Sequence, residues 1–185
     1  MGPFCTERGP LLDLVIDDQD YTASRIRDGS VQGAVTAKAE PIQGCRSERL
    51  GRIRYRAVCS PAFYARYFDA GITRDALRRA PCVMFNPKDG LQARFIRRVT
   101  RADLDPPQHW IPHVAGYLRA CETGLGWGMC PDRMVDRQLA AGELLDMSRG
   151  RTIDIDLYWQ SWRLSIGWLD DFSAALKARA ALFLD

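Results

Sequence analysis

Two long stretches of the chain alternate apolar and polar residues, which is the pattern of a half-buried β-strand. In residues 53–59 the polar positions are arginines, and in residues 153–159 two of the three polar positions are aspartates. We therefore predict two strands of opposite charge, one in the first third of the chain and one near its end.

Shorter periodic segments predict further strands and helices between and around these two. Ser60 and Pro61 have the residue types of a helix N-cap and first turn, and Gly29 is a typical residue just after a helix. The strands are predicted over residues 12–16, 31–36, 53–59, 82–85, 109–112, 127–130 and 153–159, and the helices over 21–28, from 60 onward, and over 73–79, 91–99, 115–123, 131–141 and 166–184. The first strand, helix and strand are predicted to form a βαβ unit with parallel strands.

The order of these elements predicts two α/β lobes joined by two crossover strands. Residues 1–59 are expected to form the first part of lobe one and residues 60–151 lobe two. Residues 152–185 are expected to return to lobe one with the C-terminal helix.

The charges on the two long strands predict that they are neighbours in the hinge between the lobes. Arg54 and Arg56 lie on one strand, and Asp154 and Asp156 lie on the other. Opposite charges facing each other across strands contribute roughly 0.2–1 kcal/mol per pair. The alternative is that both are unrelated, solvated strand edges.

The composition is that of a globular protein: 185 residues, 46% hydrophobic, 26% charged, with a formal net charge of +3. No apolar run approaches the ~18 residues of a membrane span, and the start of the chain lacks the apolar segment of a signal peptide. The six cysteines include no C-x-x-C spacing. We therefore expect a cytoplasmic protein without a membrane partner, whose thiols are reduced and mostly buried.

Signals for catalysis, metals and cofactors are weak. The glycines of residues 124–128 do not have the spacing of a dinucleotide-binding loop, and no phosphate-binding P-loop occurs. His109 and His113 are separated by Pro112, which opposes a helix that would bring them together on a metal. We predict no catalytic residues, no metal and no cofactor. Cys130 and His113 could act as nucleophile and base, but a buried thiol and a loop histidine are the favoured interpretation. A small α/β enzyme is a less favoured alternative.

Polar residues follow several predicted strands, where open α/β sheets bind their ligands. All are expected to face one cleft between the lobes, in which the carboxylates would favour a cationic ligand such as an amino acid with a charged side chain. The candidate binding residues are Asp18, Gln19, Asp20, Thr36, Asn86, Asp89 and His113. Helix capping is the alternative role for the residues that precede helices, and a β-branched strand end is the alternative for Thr36.

The predicted helix over 91–99 is strongly basic. Arg94, Arg97 and Arg98, followed by Arg101, could contact DNA phosphates. A solvated helix face is the alternative, and no interleaved aromatic residue favours binding to single strands.

Several segments resemble the effector-binding region of LysR-type transcriptional regulators, from about Leu12 to the C-terminus. They are Val-Ile-Asp-Asp-Gln-Asp-Tyr-Thr at 15–22, Gly-Ala-Val-Thr at 33–36, Arg-Tyr-Arg-Ala-Val-Cys-Ser-Pro-Ala-Phe at 54–63, Phe-Asn-Pro-Lys-Asp at 85–89 and Gly-Leu-Gly-Trp-Gly-Met-Cys-Pro at 124–131. The combination of the first and last segments is similar to the arginine/lysine-export regulators, also known as chromosome-replication initiation inhibitors.

This resemblance implies an α/β, two-lobed effector domain of the periplasmic-binding-protein type II-like class, with two crossover hinge strands. It implies an effector that is lysine or arginine, assembly into a homo-oligomer, and control of amino-acid export or biosynthesis genes. Thr36, Asn86, Asp89 and the 18–20 turn fall where the family lines its cleft.

Residues 1–11 resemble nothing in the family. We expect the first strand and helix of lobe one to be missing, together with the helix-turn-helix through which such a regulator contacts DNA. The alternatives are a stand-alone amino-acid-binding module and a non-functional truncated remnant.

Overall fold

The computed structural model of the chain describes residues 2–8, 11–15, 22–163 and 167–185. Helices and strands alternate through most of the chain. The helices are α1 (Gly2–Arg8), α2 (Thr22–Arg27), α3 (Pro61–Phe68), α4 (Arg74–Arg79), α5 (Leu91–Thr100), α6 (Val114–Glu122), α7 (Asp132–Ala140) and α8 (Gly167–Ala180). The strands are β1 (Gly33–Thr36), β2 (Cys45–Cys59), β3 (Cys82–Met84), β4 (Gln108–Trp110), β5 (Gly128–Pro131), β6 (Leu145–Asp146) and β7 (Ile153–Trp162).

The chain divides into two compact units. Unit 1 contains residues 1–53 and 155–185, and unit 2 contains residues 54–154. The two breaks fall within β2 and β7, the two long strands whose alternation is visible in the sequence. These two strands are neighbours in a sheet with the order β1-β7-β2-β5, and β6 also pairs with β2.

Unit 1 is built on β1 and β7, which pair antiparallel with Gly33 opposite Ser161. Ile26 and Cys45 are buried in its core. Helix α8 is fixed by a buried hydrogen bond in which Trp159 Nε1 donates to Ser173 Oγ at 2.8 Å. Because an indole N–H needs a partner when it is buried, this contact sets the position of the helix.

Unit 2 contains the larger core. The carboxyl half of β2 pairs antiparallel with β5 and β6, and β3 pairs in parallel with β4. Trp127 forms a parallel bridge with Cys82 and is fully buried. The remaining core cluster contains Val58, Val83, Tyr117, Ala120, Cys121, Cys130, Val135 and Leu144.

Most predicted elements of unit 2 are confirmed to within a few residues, and so is the N-cap predicted at Ser60. Ser60 Oγ accepts a hydrogen bond from Phe63 N at 3.3 Å and caps α3, which begins at Pro61. Thr73 caps α4 through Ala76 N. All six cysteines are free; five of them are buried, and Cys5 is partly exposed, which confirms the prediction of mostly buried thiols.

The predicted first strand is wrong for the residues that can be compared. Residues 12–15 form no strand, and the side chain of Leu14 is 78% exposed. Residue 16 lies outside the described ranges. Because β1 pairs antiparallel with β7, the predicted parallel βαβ unit is not formed by the described residues. Apolar character alone does not make a strand, since its backbone needs a paired neighbour.

Candidate functional site

Two parallel strand ends and two helix starts meet at one edge of unit 2. Strands β3 and β4 run in parallel, and Ile111 N, just beyond β4, donates at 2.9 Å to the carbonyl oxygen of Met84, the last residue of β3. The chain then enters α5 after β3 and α6 after β4. We call this edge, with Asn86, Asp89, Gln92, His113 and Tyr117, the unit 2 edge. It is the position at which open α/β sheets place ligands.

Asp89 organises the turn between β3 and α5. Its Oδ2 accepts hydrogen bonds from Phe85 N at 3.2 Å and from Gln92 Nε2 at 3.3 Å, and its Oδ1 accepts from Leu91 N at 3.1 Å. The carboxylate is half-buried. Asp89 therefore has the capping role that the sequence predicts as the alternative to ligand binding. This role places a negative charge at the start of α5.

Asn86 and His113 also have local roles. Asn86 Oδ1 accepts a hydrogen bond from Lys88 N at 2.8 Å, and His113 Nδ1 accepts one from Gly116 N at 3.0 Å as the N-cap of α6. A neutral imidazole that accepts at Nδ1 carries its proton at Nε2. The Nε2–H of His113 and the side-chain amide N–H groups of Asn86 are thus donors at the unit 2 edge.

Behind these residues lies a buried polar pair that sequence reasoning missed. Gln92 Nε2 donates to Val83 O at 2.7 Å and to Tyr117 Oη at 2.9 Å. Tyr117 Oη also accepts from Met129 N at 2.9 Å, and burial raises the pKa of this phenol well above its usual value. Within the described part of the chain, Gln92 Oε1 has no hydrogen-bond partner.

A signal for Gln92 exists in the sequence. Gln92, Phe95 and Ile96 are spaced i, i+3 and i+4, so they share the buried face of α5. A polar residue on an apolar helix stripe needs an internal partner, but the identity of that partner depends on the contact between α5 and α6.

The remaining candidate binding residues lie elsewhere. Thr36 belongs to unit 1, where it is fully buried at the end of β1 and its Oγ1 accepts from Lys38 N at 3.2 Å. Asp18, Gln19 and Asp20 lie outside the described residues. Asn86 and Asp89 are brought together in one turn, and His113 follows the adjacent strand.

The charged residues of β2 and β7 are placed as follows. Arg54 Nε lies 3.3 Å from Asp154 Oδ1 in unit 2. In unit 1, Asp156 Oδ1 lies 2.8 Å from Arg49 Nη2 and 3.4 Å from Arg52 Nε. The hydrogen bond from Arg49 lowers the pKa of the Asp156 carboxyl, with a smaller contribution from the charge of Arg52.

Arg56 has other partners than the predicted aspartates of β7. Its Nε lies 2.7 Å from Asp132 Oδ1, and its Nη1 lies 2.8 Å from Asp146 Oδ2. These two hydrogen bonds raise the pKa of the guanidinium above its ordinary value. Arg56 therefore connects β2 with the start of α7 and with β6, which is a contact within unit 2.

Two negative findings apply to the described ranges. No cluster of three or more His, Cys, Asp or Glu side chains there could hold a metal ion. No helix there is long and apolar enough to span a bilayer.

The fold defines a class: an α/β domain made of two units, with two long strands that run through both. A family model described as the LysR substrate binding domain matches residues 6–180. The chain therefore belongs to the family of LysR substrate-binding domains. The expectation that residues 1–11 resemble nothing in the family is wrong for residues 6–11, which lie within this match.

Curated relatives agree with this assignment. The chain is 42% identical over 184 residues to the HTH-type transcriptional regulator ArgP of Pseudomonas aeruginosa, covering 97% of this chain and 60% of that protein. It is 36% identical over 171 residues to the HTH-type transcriptional regulator LysG of Mycobacterium tuberculosis, covering 92% of this chain and 56% of that protein. The chain thus spans about three fifths of the length of these relatives.

Solved structures show the same fold. The C-terminal domains of a LysR family protein from Agrobacterium tumefaciens match with a TM-score of 0.92 and 42% identity, over 97% of this chain and 88% of that chain. Full-length LysG from Corynebacterium glutamicum with the effector arginine bound matches with a TM-score of 0.89 and 31% identity, over 99% of this chain and 62% of that chain.

Proposed function

We propose that this chain is the effector-sensing part of a LysR-type transcriptional regulator and that its effector is arginine or lysine. The observation that carries the proposal is the similarity, at 31% identity and a TM-score of 0.89, to a LysG structure that holds arginine. Control of amino-acid export or biosynthesis genes, binding to DNA and assembly into a homo-oligomer would be properties of the whole regulator.

The unit 2 edge supports a cationic amino acid as the effector. Asp89 supplies a fixed negative charge whose position is set by three hydrogen bonds. Asn86 and His113 supply N–H donors that suit the carboxylate of an amino acid. We propose Asn86, Asp89 and His113 as binding residues in unit 2. Thr36, Asp18, Gln19 and Asp20 are further candidate binding residues.

The experiment is a calorimetric titration of the chain with L-arginine, L-lysine and L-citrulline. Citrulline has the length of arginine without its charge. We expect arginine or lysine to bind at least tenfold more tightly than citrulline, because the neutral analogue forms no ion pair with Asp89. Equal affinity for arginine and citrulline, or no binding of either cationic amino acid, would contradict the proposed effector.

A pair of variants tests the location of the site. Asn86→Ser keeps a side-chain acceptor for the turn but removes the amide donor. We expect it to weaken the affinity for the cationic amino acid at least fivefold. Gln108→Ser makes the same change at the amino end of β4, on the opposite edge, and should leave the affinity within twofold. Equal effects of the two variants would place the site elsewhere.

A further inference from the structure

Helix α5 of unit 2 carries its arginines on a single face. Gln92, Phe95 and Ile96 are buried on one side of the helix. At 100° per residue, Arg94, Arg98 and Arg101 lie within about 60° of one another on the opposite side, and all three are exposed. We call this face, with Arg97 beside it, the α5 basic face.

Acidic neighbours neutralise little of this charge. Residues 61–105 contain nine basic and five acidic side chains, a net charge of +4. Arg97 pairs with Asp103 at 2.5 Å. No ion pair with another described residue is seen for Arg94, Arg98 or Arg101, so their guanidinium groups face solvent.

The face is held in place by the neighbouring helix. Arg74, at the start of α4, donates from Nε and Nη2 to Thr100 O, at 3.1 and 2.9 Å, and so binds the last turn of α5. Thr100 Oγ1 also donates to Ile96 O at 2.8 Å. These bonds at the end of α5 do not involve Arg94 or Arg98, which are both exposed.

We propose that the α5 basic face binds the phosphate backbone of duplex DNA. Guanidinium groups form paired hydrogen bonds with phosphate oxygens, and every basic side chain of the face is arginine. The one aromatic residue of α5, Phe95, is buried, so the face offers no stacking surface for the bases of a single strand. The contact is independent of base sequence. This DNA contact is a role separate from effector sensing. Only the choice of DNA as the polyanion rests on the proposed function.

The experiment measures binding of the 185-residue chain to a fluorescein-labelled 30-base-pair duplex of arbitrary sequence, by anisotropy at several NaCl concentrations. A contact with four arginines predicts a slope of about −3.5 for log K against log [NaCl]. In the triple variant Arg94→Gln, Arg98→Gln, Arg101→Asn, we expect at least tenfold weaker binding at 25 mM NaCl and a slope shallower by about 2.5. Asn is used at position 101 because this residue has a left-handed conformation, with φ 56°.

The matched control is the triple variant Arg27→Gln, Arg137→Gln, Arg151→Gln, which loses the same charge from exposed positions elsewhere in the chain. We expect its affinity for the duplex to stay within twofold of the unchanged chain. Equal losses in both triple variants would show a net-charge effect and overturn the proposal, as would a chain that does not bind the duplex. If poly-L-glutamate displaces the labelled duplex as well as an unlabelled duplex of equal charge does, the partner is an acidic protein. This result would also overturn the proposal.

A thermal melt with L-arginine separates this proposal from the proposed function. The α5 triple variant should keep the ligand-induced stabilisation of the unchanged chain while losing its DNA affinity. If the variant loses both, the α5 basic face belongs to the effector site, and the DNA proposal is overturned.

Discussion

Among the glycines of unit 2, Gly128 has the least room for an added Cβ atom. A Cβ atom there would lie 2.7 Å from Tyr117 Oη and 2.8 Å from Cys121 Sγ. The phenol cannot move away without cost, because its oxygen accepts hydrogen bonds from Met129 N and from Gln92. Gly128 therefore maintains the polar pair that lies behind the unit 2 edge.

We predict that Gly128→Ala lowers the free energy of unfolding by about 1–3 kcal/mol, as overpacking of a filled core does. Urea unfolding measures the change. Gly167→Ala is the control, since Gly167 is exposed and a Cβ there meets nothing within 4 Å; it should change the stability by less than about 0.5 kcal/mol. If the two variants have equal free energies of unfolding, Tyr117 can move to make room for the added methyl group.

Single residues were predictable where the signal is local. Ser60, Asn86 and Asp89 precede helices, and their residue types alone predict hydrogen bonds to the following backbone N–H groups. The pairing of Gln92 with Tyr117 was not predictable, because the two residues are 25 positions apart. Only the packing of α5 against α6 decides that they meet.

At the scale of elements, strand β2 has two different halves. Its carboxyl half alternates regularly and was predicted, whereas residues 45–52 carry polar residues with no clear period and were not. In this first half, Arg52 exchanges backbone hydrogen bonds with Asp185, of 2.8 and 3.0 Å. These bonds join β2 to the last residue of the chain, a long-range contact that local periodicity cannot show.

The ion pairs between β2 and β7 in unit 1 predict an acid-dependent part of the stability. The pKa of Asp156 is lowered in the folded chain, mainly by the hydrogen bond from Arg49. The folded state therefore binds fewer protons than the unfolded state in this range. The stabilisation is fully present above the ordinary aspartate pKa of about 3.9 and is lost as the pH falls through the lowered value.

Asp156→Asn should accordingly lower the melting temperature at pH 7, and the difference from the unchanged chain should shrink below about pH 4. Asp136→Asn, at an exposed position of α7, is the control for loss of one charge. Scanning calorimetry between pH 3 and 7 measures both. A difference for Asp156→Asn that stays constant down to pH 3, or one matched by Asp136→Asn, would show that the pairs with Arg49 and Arg52 contribute nothing specific.

At the scale of the whole molecule, most of the fold class could be predicted from the order of the elements along the chain. Two long strands enclosing a run of strands and helices predicted two α/β parts, and the two units change over within those strands. The candidate binding residues could not be assigned to a ligand from the sequence. Turn residues such as Asn86 and Asp89 serve the local fold, and a residue type suited to capping is equally suited to a ligand.

We propose that this chain senses a cationic amino acid. The decisive measurement is a thermal melt of the 185-residue chain with and without L-arginine. Arginine at ~100 times its dissociation constant would add about 2.7 kcal/mol. For a chain of this length, that corresponds to a rise of roughly 5–10 °C in the melting temperature. We expect a cooperative transition with this rise for L-arginine or L-lysine and no rise for L-citrulline or L-glutamate. A cooperative transition that neither cationic amino acid moves would contradict the proposal.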